Sequence, residues 1–437
     1  MPSAVPTARE TITKFTNCRI LKGDELVEQD LWVSSGTGKI VRNQEAFYSS
    51  HAVPDHTINL DGRIISPGLI DVQLNGAFGF NFSTVPEDPS TYGKVLRQVN
   101  KSLVQTGVTS YLPTLTSSNK EAYHQALPFL GPSGQRRLAS DGAESLGAHC
   151  EGPFLNPTKN GIHPREVLVA AENGFSDLED MYGSENINPT LDPISNAILP
   201  PRIRKITAAP EIAGITSAIS DITSRGIVYA IGHTEATYEE ASAAIAAGGT
   251  MITHLFNAMA PLHHRNPGVF GVLGLAKSLP RPYFGIIADG IHLHPTSIKI
   301  AFNAHPDGFI LVTDAMHLVG LPDGVYSWNE NSGERLVKTG PSLTLEGTDK
   351  IAGSSITLIE CVNNFLNFSG CTISQALKAV TSTPSAMLHL QGVKGSLESD
   401  ADADLVIIDE EVHENGARSL TIDQVWKFGS KVFDRDE

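Results

Sequence analysis

The strongest constraint on the fold is an alternation of short apolar runs with stretches of helical periodicity. It is clearest in Val228–Met259, VYAIGHTEATYEEASAAIAAGGTMITHLFNAM. Val228–Ile231 and Met251–Ile252 read as buried strands, and the Ala-rich stretch Tyr238–Ala247 between them reads as a helix. His233 and His254 then stand at the carboxyl ends of successive parallel strands. In a parallel α/β barrel those ends share one face, where such barrels build their sites. Two imidazoles delivered to one face suggest a metal centre.

The same rhythm extends on both sides. Strands are predicted at Leu69–Leu74, Thr109–Pro113, Leu146–Cys150, Lys205–Ala209, Tyr283–Ala288 and Gly308–Val312. Helices are predicted at Thr91–Thr106, Lys120–Leu130, Ile212–Ser224, Pro295–Ala304, Ser355–Phe368 and Ile373–Met387. About eight such units close a barrel. The flanks differ: ITKFTNCRIL, ELVEQDLWVSS and GKIVRN near the start, and Asp404–Ile408 and Gln424–Lys431 near the end, read as strands. The expectation is an α/β chain: a (β/α)8 TIM-like barrel over 66–394, with a small β-sandwich from both chain ends, 1–65 and 395–437. Residues 166–204, rich in Gly, Asn, Pro and acids, interrupt the rhythm and read as a surface insertion with a helix at Gly174–Tyr182. Residues 325–350 read as a hairpin.

Composition narrows the classes. A net charge of -16 gives no basic face for nucleic acid, although a phosphorylated metabolite needs only local charge. No apolar run is long enough to span a membrane, and MPSAVPTARETITKF lacks the pattern of a secretory leader. Cys18, Cys150, Cys361 and Cys371 are scattered without a CxxC pair, so a reduced cytoplasmic enzyme is expected.

Polar residues gather where strands end: Asp71, Gln73 and Asn75, His149 and Glu151, His233, His254 and Asn257, Asp289 and His292, and Asp314. Glu151, His233 and His254 form a set suited to one divalent ion with a coordination position left for water. Asp314, in LVTDAM, could take a proton from that water and pass it to a leaving group. His163, His263, His264, His294, His305 and His317 read, on position alone, as ordinary structural histidines. Glu211 ends a strand in AAPE and reads as a supporting or helix-terminal residue.

The motifs, taken together, resemble those of the N-acetylglucosamine-6-phosphate deacetylases of the amidohydrolase superfamily. They are PGLIDVQLNG (67–76), HCEGPFLN (149–156), KNGIH (159–163), AAPE (208–211), GHTEAT (232–237), THLFNAM (253–259), RNPG (265–268), ADGIH (288–292), LVTDAM (311–316), IAGSS (351–355) and DADLVIID (402–409). The resemblance implies hydrolysis of N-acetylglucosamine 6-phosphate to glucosamine 6-phosphate and acetate. It implies Glu151, His233 and His254 as metal ligands and Asp314 as the catalytic acid/base. Ile162, His163 and His292 would contact substrate, and Asn257 and Ala258 would reach the phosphate. Arg265 would reach the phosphate of the neighbouring subunit of a homodimer, and Asp289, Ile351, Ala352 and Gly353 would line the sugar pocket. The superfamily commonly has His-x-His on the first strand. This chain has Gln73-Leu74-Asn75, and amides are poor zinc ligands, so one ion per subunit is expected. Zinc is the first choice, with manganese, cobalt or iron as alternatives. Gln73, Asn75 and His149 are then expected around the ligands rather than among them.

Other readings stay open at this point. They are the galacto epimer as substrate, a different N-acyl or cyclic-amide amidohydrolase, and an inactive barrel serving as a scaffold. Retention of all four site residues argues against the last.

Overall fold

A computed structural model describes residues 11–42, 53–85, 88–192, 195–276, 280–328 and 335–437. The stretch read for a secretory leader lies partly outside these residues, as do short parts of the 166–204 and 325–350 segments. Among the described residues no helix is long and apolar enough to cross a membrane.

Eight parallel strands form the barrel: β1 (Leu69–Leu74), β2 (Val108–Leu115), β3 (Ala148–Glu151), β4 (Ile203–Ala208), β5 (Val228–Ile231), β6 (Met251–Ile252), β7 (Tyr283–Ile287) and β8 (Phe309–Val312). Each pairs with the next in chain order. Between β8 and β1 the ladder is replaced by single contacts. Leu74 bridges Ala315, Asp314 N–H donates to Gln73 O at 3.0 Å, and the Thr313 hydroxyl donates to Asp71 Oδ2 at 2.6 Å. The strands are buried on both faces, which is why they read as near-continuous apolar runs. One set of side chains, including Ile70, Val72, Leu112, Val228, Ala230, Met251, Ile310 and Val312, forms one cluster, and the alternate set packs with the surrounding helices.

Local signals set the helices. Thr237 and Glu240 form a reciprocal capping box at Tyr238–Ala246, as Thr357 and Glu360 do at Leu358–Ser369. Asn119 caps Lys120–Leu130, and Pro295 opens the helix Pro295–Ala304.

Four expectations need correction. The single helix predicted over Ile373–Met387 is two, Ile373–Lys378 and Ser382–Met387. The break inserts between β8 and β1, where Ala379 O accepts from Leu311 N–H and Val380 O from Ile70 N–H. Those two strands lack each other there, and buried backbone donors must be satisfied. The run ITKFTNCRIL turns at Asn17, with φ of 50°, into two strands, Ile12–Thr16 and Arg19–Lys22, that enter different sheets. The segment 325–350 is more than a hairpin: Gly324–Ser327, Arg335–Thr339, Ser342–Leu345 and Ile351–Ser354 make a four-stranded antiparallel sheet. Finally, 166–204 is only partly surface. Its helix Phe175–Tyr182 and the turn after it bury Leu178, Tyr182 and Ile187 completely, and the Tyr182 hydroxyl donates to Gly152 O, next to Glu151.

The two chain ends build the sandwich. One sheet holds Lys39–Val41, Leu31–Ser34, Ile12–Thr16 and His56–Asn59. The other holds Ser430–Asp434, Arg418–Lys427, Leu405–Val412, Ile64–Pro67, Arg19–Lys22 and Glu25–Glu28. Phe15, Val33, Ile65, Leu405, Ile407 and Trp426 fill the space between them.

Candidate metal and substrate site

The ends of β3, β5 and β6 bring three ligating atoms to one point. His233 Nε2 and His254 Nε2 stand 3.2 and 3.0 Å from Glu151 Oε1, and 3.0 Å from each other. His233 Nδ1–H donates to Lys159 O at 2.7 Å. That bond fixes the tautomer and leaves the Nε2 lone pair facing the cluster, the usual orientation for a metal-ligating imidazole. Burial opposes ionisation of Glu151, but the two neighbouring imidazoles outweigh it and hold the carboxyl well below the ordinary range. The donor set therefore fits one divalent cation: a carboxylate and two imidazoles, buried and converging. Among the described residues a second cluster, Glu144, Asp402 and Asp404, has similar spacing, but the ammonium groups of Lys394 and Lys427 already fill it.

Asp314 faces this point from the end of β8. Its Oδ1 accepts from Asn75 Nδ2 at 2.8 Å and from Gln73 Nε2 at 3.1 Å, and the same Gln73 nitrogen reaches Glu151 Oε1 at 3.2 Å. Gln73 thus donates between two carboxylates, and Asn75 holds Asp314 alone. Burial, and then the charge of Glu151, push the Asp314 pKa up. His292 Nδ1–H donates to Asp289 Oδ2 at 2.6 Å, while Asp289 Oδ1 accepts the backbone N–H of Ile291 and His292. Burial disfavours the imidazolium of His292, but the Asp289 carboxylate outweighs it and the net shift is upward. His163 Nδ1 accepts the backbone N–H of Ser117 at 3.0 Å, so its neutral ring carries the proton on Nε2. Burial, foremost, lowers its pKa to about 3.

Most of these groups border one open pocket. Glu151, His233, His254, Asp314, Asn75, Ile162, His163, Asn257, Ala258, His292, Ile351 and Gly353 all border it. Asn257 Nδ2 is buried there without a protein acceptor. An orphaned buried donor of that kind calls for a partner from outside the protein.

Several expected residues stand elsewhere. Asp289 does not line the pocket, because both its oxygens are engaged in holding His292 and its loop. Ala352 points to the opposite side of its strand and packs with Met316, Leu318, Leu336 and Leu343. Arg265 is exposed and borders no part of its own chain's pocket. His149 lies within the barrel, bonded to Thr114 Oγ1 and Thr207 Oγ1. Sequence reasoning missed Lys159, whose carbonyl orients His233, and Ser117, which orients His163. Lys159 acts through its backbone carbonyl, which no residue type announces, and Ser117 through both its N–H and its hydroxyl, 3.0 and 2.8 Å from His163 Nδ1.

One feature of these candidate site residues is invisible in the sequence. His233, His254 and Asp314 all have positive φ, 50°, 28° and 45°. On β5, Val228 and Ala230 share one side of the strand, so strict alternation would place Gly232 there too and turn His233 toward the helices. The left-handed turn redirects it. Such backbone costs of order 1–3 kcal/mol per residue and persists where the surroundings enforce it, commonly at functional sites.

Comparison with known proteins agrees with this architecture. Residues 64–432 match the sequence profile described as Amidohydrolase family. An N-acetylglucosamine-6-phosphate deacetylase of Danio rerio is 38% identical over 442 residues, spanning 99% of this chain and 100% of the relative. The Homo sapiens protein of that name is also 38% identical, over 95% of this chain and 96% of its own length. A crystallised variant of N-acetyl-D-glucosamine-6-phosphate deacetylase from Mycobacterium smegmatis, in complex with N-acetyl-D-glucosamine-6-phosphate, superposes with a TM-score of 0.73. It is 25% identical, with 97% of this chain and 99% of that one covered.

Proposed function

The chain belongs to the amidohydrolase family, and from that premise we propose that it hydrolyses N-acetyl-D-glucosamine 6-phosphate to D-glucosamine 6-phosphate and acetate, in amino-sugar catabolism. The observation that carries this reading is one pocket bordered by both a metal-binding set and an unpaired donor. Glu151, His233, His254 and Asp314 meet there, and Asn257 offers an unpaired donor among the remaining lining residues.

Glu151, His233 and His254 would hold one divalent ion, zinc by donor chemistry, which when bound polarises the amide carbonyl and makes water more acidic. One ion is proposed, because the amides of Gln73 and Asn75, whose N–H groups face Asp314 and Glu151, are poor zinc ligands compared with imidazole. With Oδ1 of Asp314 occupied by those donors, Oδ2 is the oxygen that removes a proton from the attacking water. The hydroxide adds to the acetyl carbon, and the electron pair of the carbonyl moves onto its oxygen. His292, whose Nδ1–H is held by Asp289 and whose pKa that carboxylate raises, would in its imidazolium form direct Nε2–H toward that oxyanion. Asp314 then gives its proton to the sugar nitrogen, the carbon–nitrogen bond breaks, and the amine and acetate leave. His163, a donor through Nε2, would bind the sugar, with Ile162, Ile351 and Gly353 against its ring. Asn257 and Ala258 would take the phosphate. Because Arg265 projects away from its own pocket, we read it as completing the phosphate site of a second copy in a homodimer.

Acetate release should be measured with N-acetylglucosamine 6-phosphate, its galacto epimer and unphosphorylated N-acetylglucosamine. The expected result is rapid, zinc-dependent release from the phosphorylated gluco compound. Equal rates with and without phosphate would remove the anchoring role. A faster reaction with the galacto epimer would make that the substrate, and no release from any of the three by zinc-loaded protein would favour a scaffold.

A further inference from the structure

Glu211, at the carboxyl end of β4, lies between the strands that carry Glu151 and His233 but does not border the pocket. Its carboxylate nevertheless receives three donors. Oε1 accepts Asn156 Nδ2 at 2.9 Å and the Glu235 backbone N–H at 2.7 Å, and Oε2 accepts the Thr234 hydroxyl. We infer that Glu211 is a positioning residue that sets the orientation and tautomer of His233, and through them the affinity for the metal. This rests on the metal-site reading above.

Two routes lead from Glu211 to His233. The first is direct: Thr234 and Glu235 follow the histidine, and their hold on Glu211 pins the chain just after the left-handed residue. Thr234 N–H also donates to Ala258 O at 3.0 Å, tying the same turn to the loop that follows His254. The second route runs through Asn156. Its amide oxygen accepts from Thr158 N–H and Oγ1, capping the short turn Pro157–Lys159. Lys159 ends that turn, and its carbonyl is the acceptor for His233 Nδ1–H. Asn156 N–H meanwhile donates to His233 O at 2.9 Å, and Lys159 Nζ pairs with Glu235 Oε1 at 3.0 Å. One carboxylate thus fixes both the backbone that aims the imidazole and the carbonyl that chooses its tautomer. No helix N-terminus claims it, because the following helix starts only at Ile215.

The test is the zinc dissociation constant, read by chelator competition on purified full-length protein. Glu211→Ala is expected to weaken zinc about 10- to 100-fold, the usual effect of removing a group that orients a ligand. Glu211→Gln should stay close to wild type. It keeps an oxygen for Asn156 and Glu235, and its NH2 can donate to the Thr234 hydroxyl. Unchanged zinc affinity in folded Glu211→Ala overturns the inference, whatever its melting temperature. Should that variant not fold, Thr234→Val, which at constant shape removes the hydroxyl that donates to Glu211 and accepts Ala236 N–H, is read the same way: weaker zinc supports the inference, and unchanged zinc overturns it. His233→Asn is the control. If it binds zinc like wild type, the metal-site reading itself fails; if it loses zinc while Glu211→Ala does not, only the role of Glu211 fails.

Discussion

At the scale of single residues, the site works by dividing labour among carboxylates of different surroundings. Glu151 is held ionised by two imidazoles, Asp289 is consumed in holding His292, and Asp314 is buried with one oxygen capped by amides. Only Asp314 combines a raised pKa with an oxygen free to exchange a proton. Replacing it by Asn preserves the shape, since the amide oxygen can still accept from Gln73 and Asn75. The expectation is a drop in kcat of about 10²- to 10⁴-fold with KM and zinc content nearly unchanged. Steady-state kinetics and metal analysis on the same preparation check this, and near-normal kcat would remove Asp314 from the mechanism.

Among the elements, the ends of β5 and β6 matter more than their length. β6 is only two residues long, and its partner β5 ends at Ile231, with Gly232 leading into the turn. A Cβ on Gly232 would stand 2.7 Å from Thr207 Cγ2 and 2.9 Å from Thr253 Cβ, two side chains whose hydroxyls are bonded to each other at 2.7 Å. Gly232→Ala therefore overpacks the barrel directly beneath His233. We expect a loss of roughly 1–3 kcal/mol of stability, together with weakened zinc binding. Urea unfolding and chelator competition read the two effects, and a neutral substitution would mean that β4 and β6 yield more easily than their packing indicates.

For the molecule as a whole, the question is what joins barrel to sandwich. Lys427, fully buried on a sandwich strand, donates to Thr109 O on β2, to Glu144 Oε1 at 2.6 Å and to Asp404 Oδ2 at 2.8 Å. Lys394 pairs with Asp402 at 2.8 Å, with Asp404 at 2.7 Å and with Glu144. Burial disfavours the charged forms of Asp402 and Asp404, but the lysines outweigh it and both pKa values fall below the ordinary range. A depressed carboxylate contributes stability that is present above its unfolded pKa, about 3.9. That contribution is lost as pH falls through the folded value. Lys394→Met removes one ammonium from this buried cluster while Lys427 still serves Glu144 and Asp404, and Lys39 and Arg137 still serve Asp402, so it should cost less than the roughly 3–5 kcal/mol of a fully unpaired buried charge at neutral pH. The gap to wild type should narrow below about pH 4, as the aspartates protonate. Denaturation midpoints measured across pH test this; a gap independent of pH would mean that lost packing, not charge, causes the destabilisation.

Much of this protein follows from its sequence alone. Burial on two faces imposes continuous apolar runs, so β5, the helix Pro295–Ala304 and the parallel barrel were legible as pattern. That Glu151, His233, His254 and Asp314 are candidates for one site was legible because few side chains bind a divalent ion or move a proton, and these stand where strands end. Tertiary structure alone decided how they are aimed. The left-handed turns at His233, His254 and Asp314, the wedge of Ala379 and Val380 between β8 and β1, and the diversion of Asp289 and Ala352 from the pocket depend on contacts between distant segments. So do the carbonyl of Lys159 and the three donors that converge on Glu211. Residue type limits what a side chain can do, but its direction is set by a backbone held by neighbours many residues away. That is why the ligands could be read from the strand ends, and why the framework that points them at one another could not.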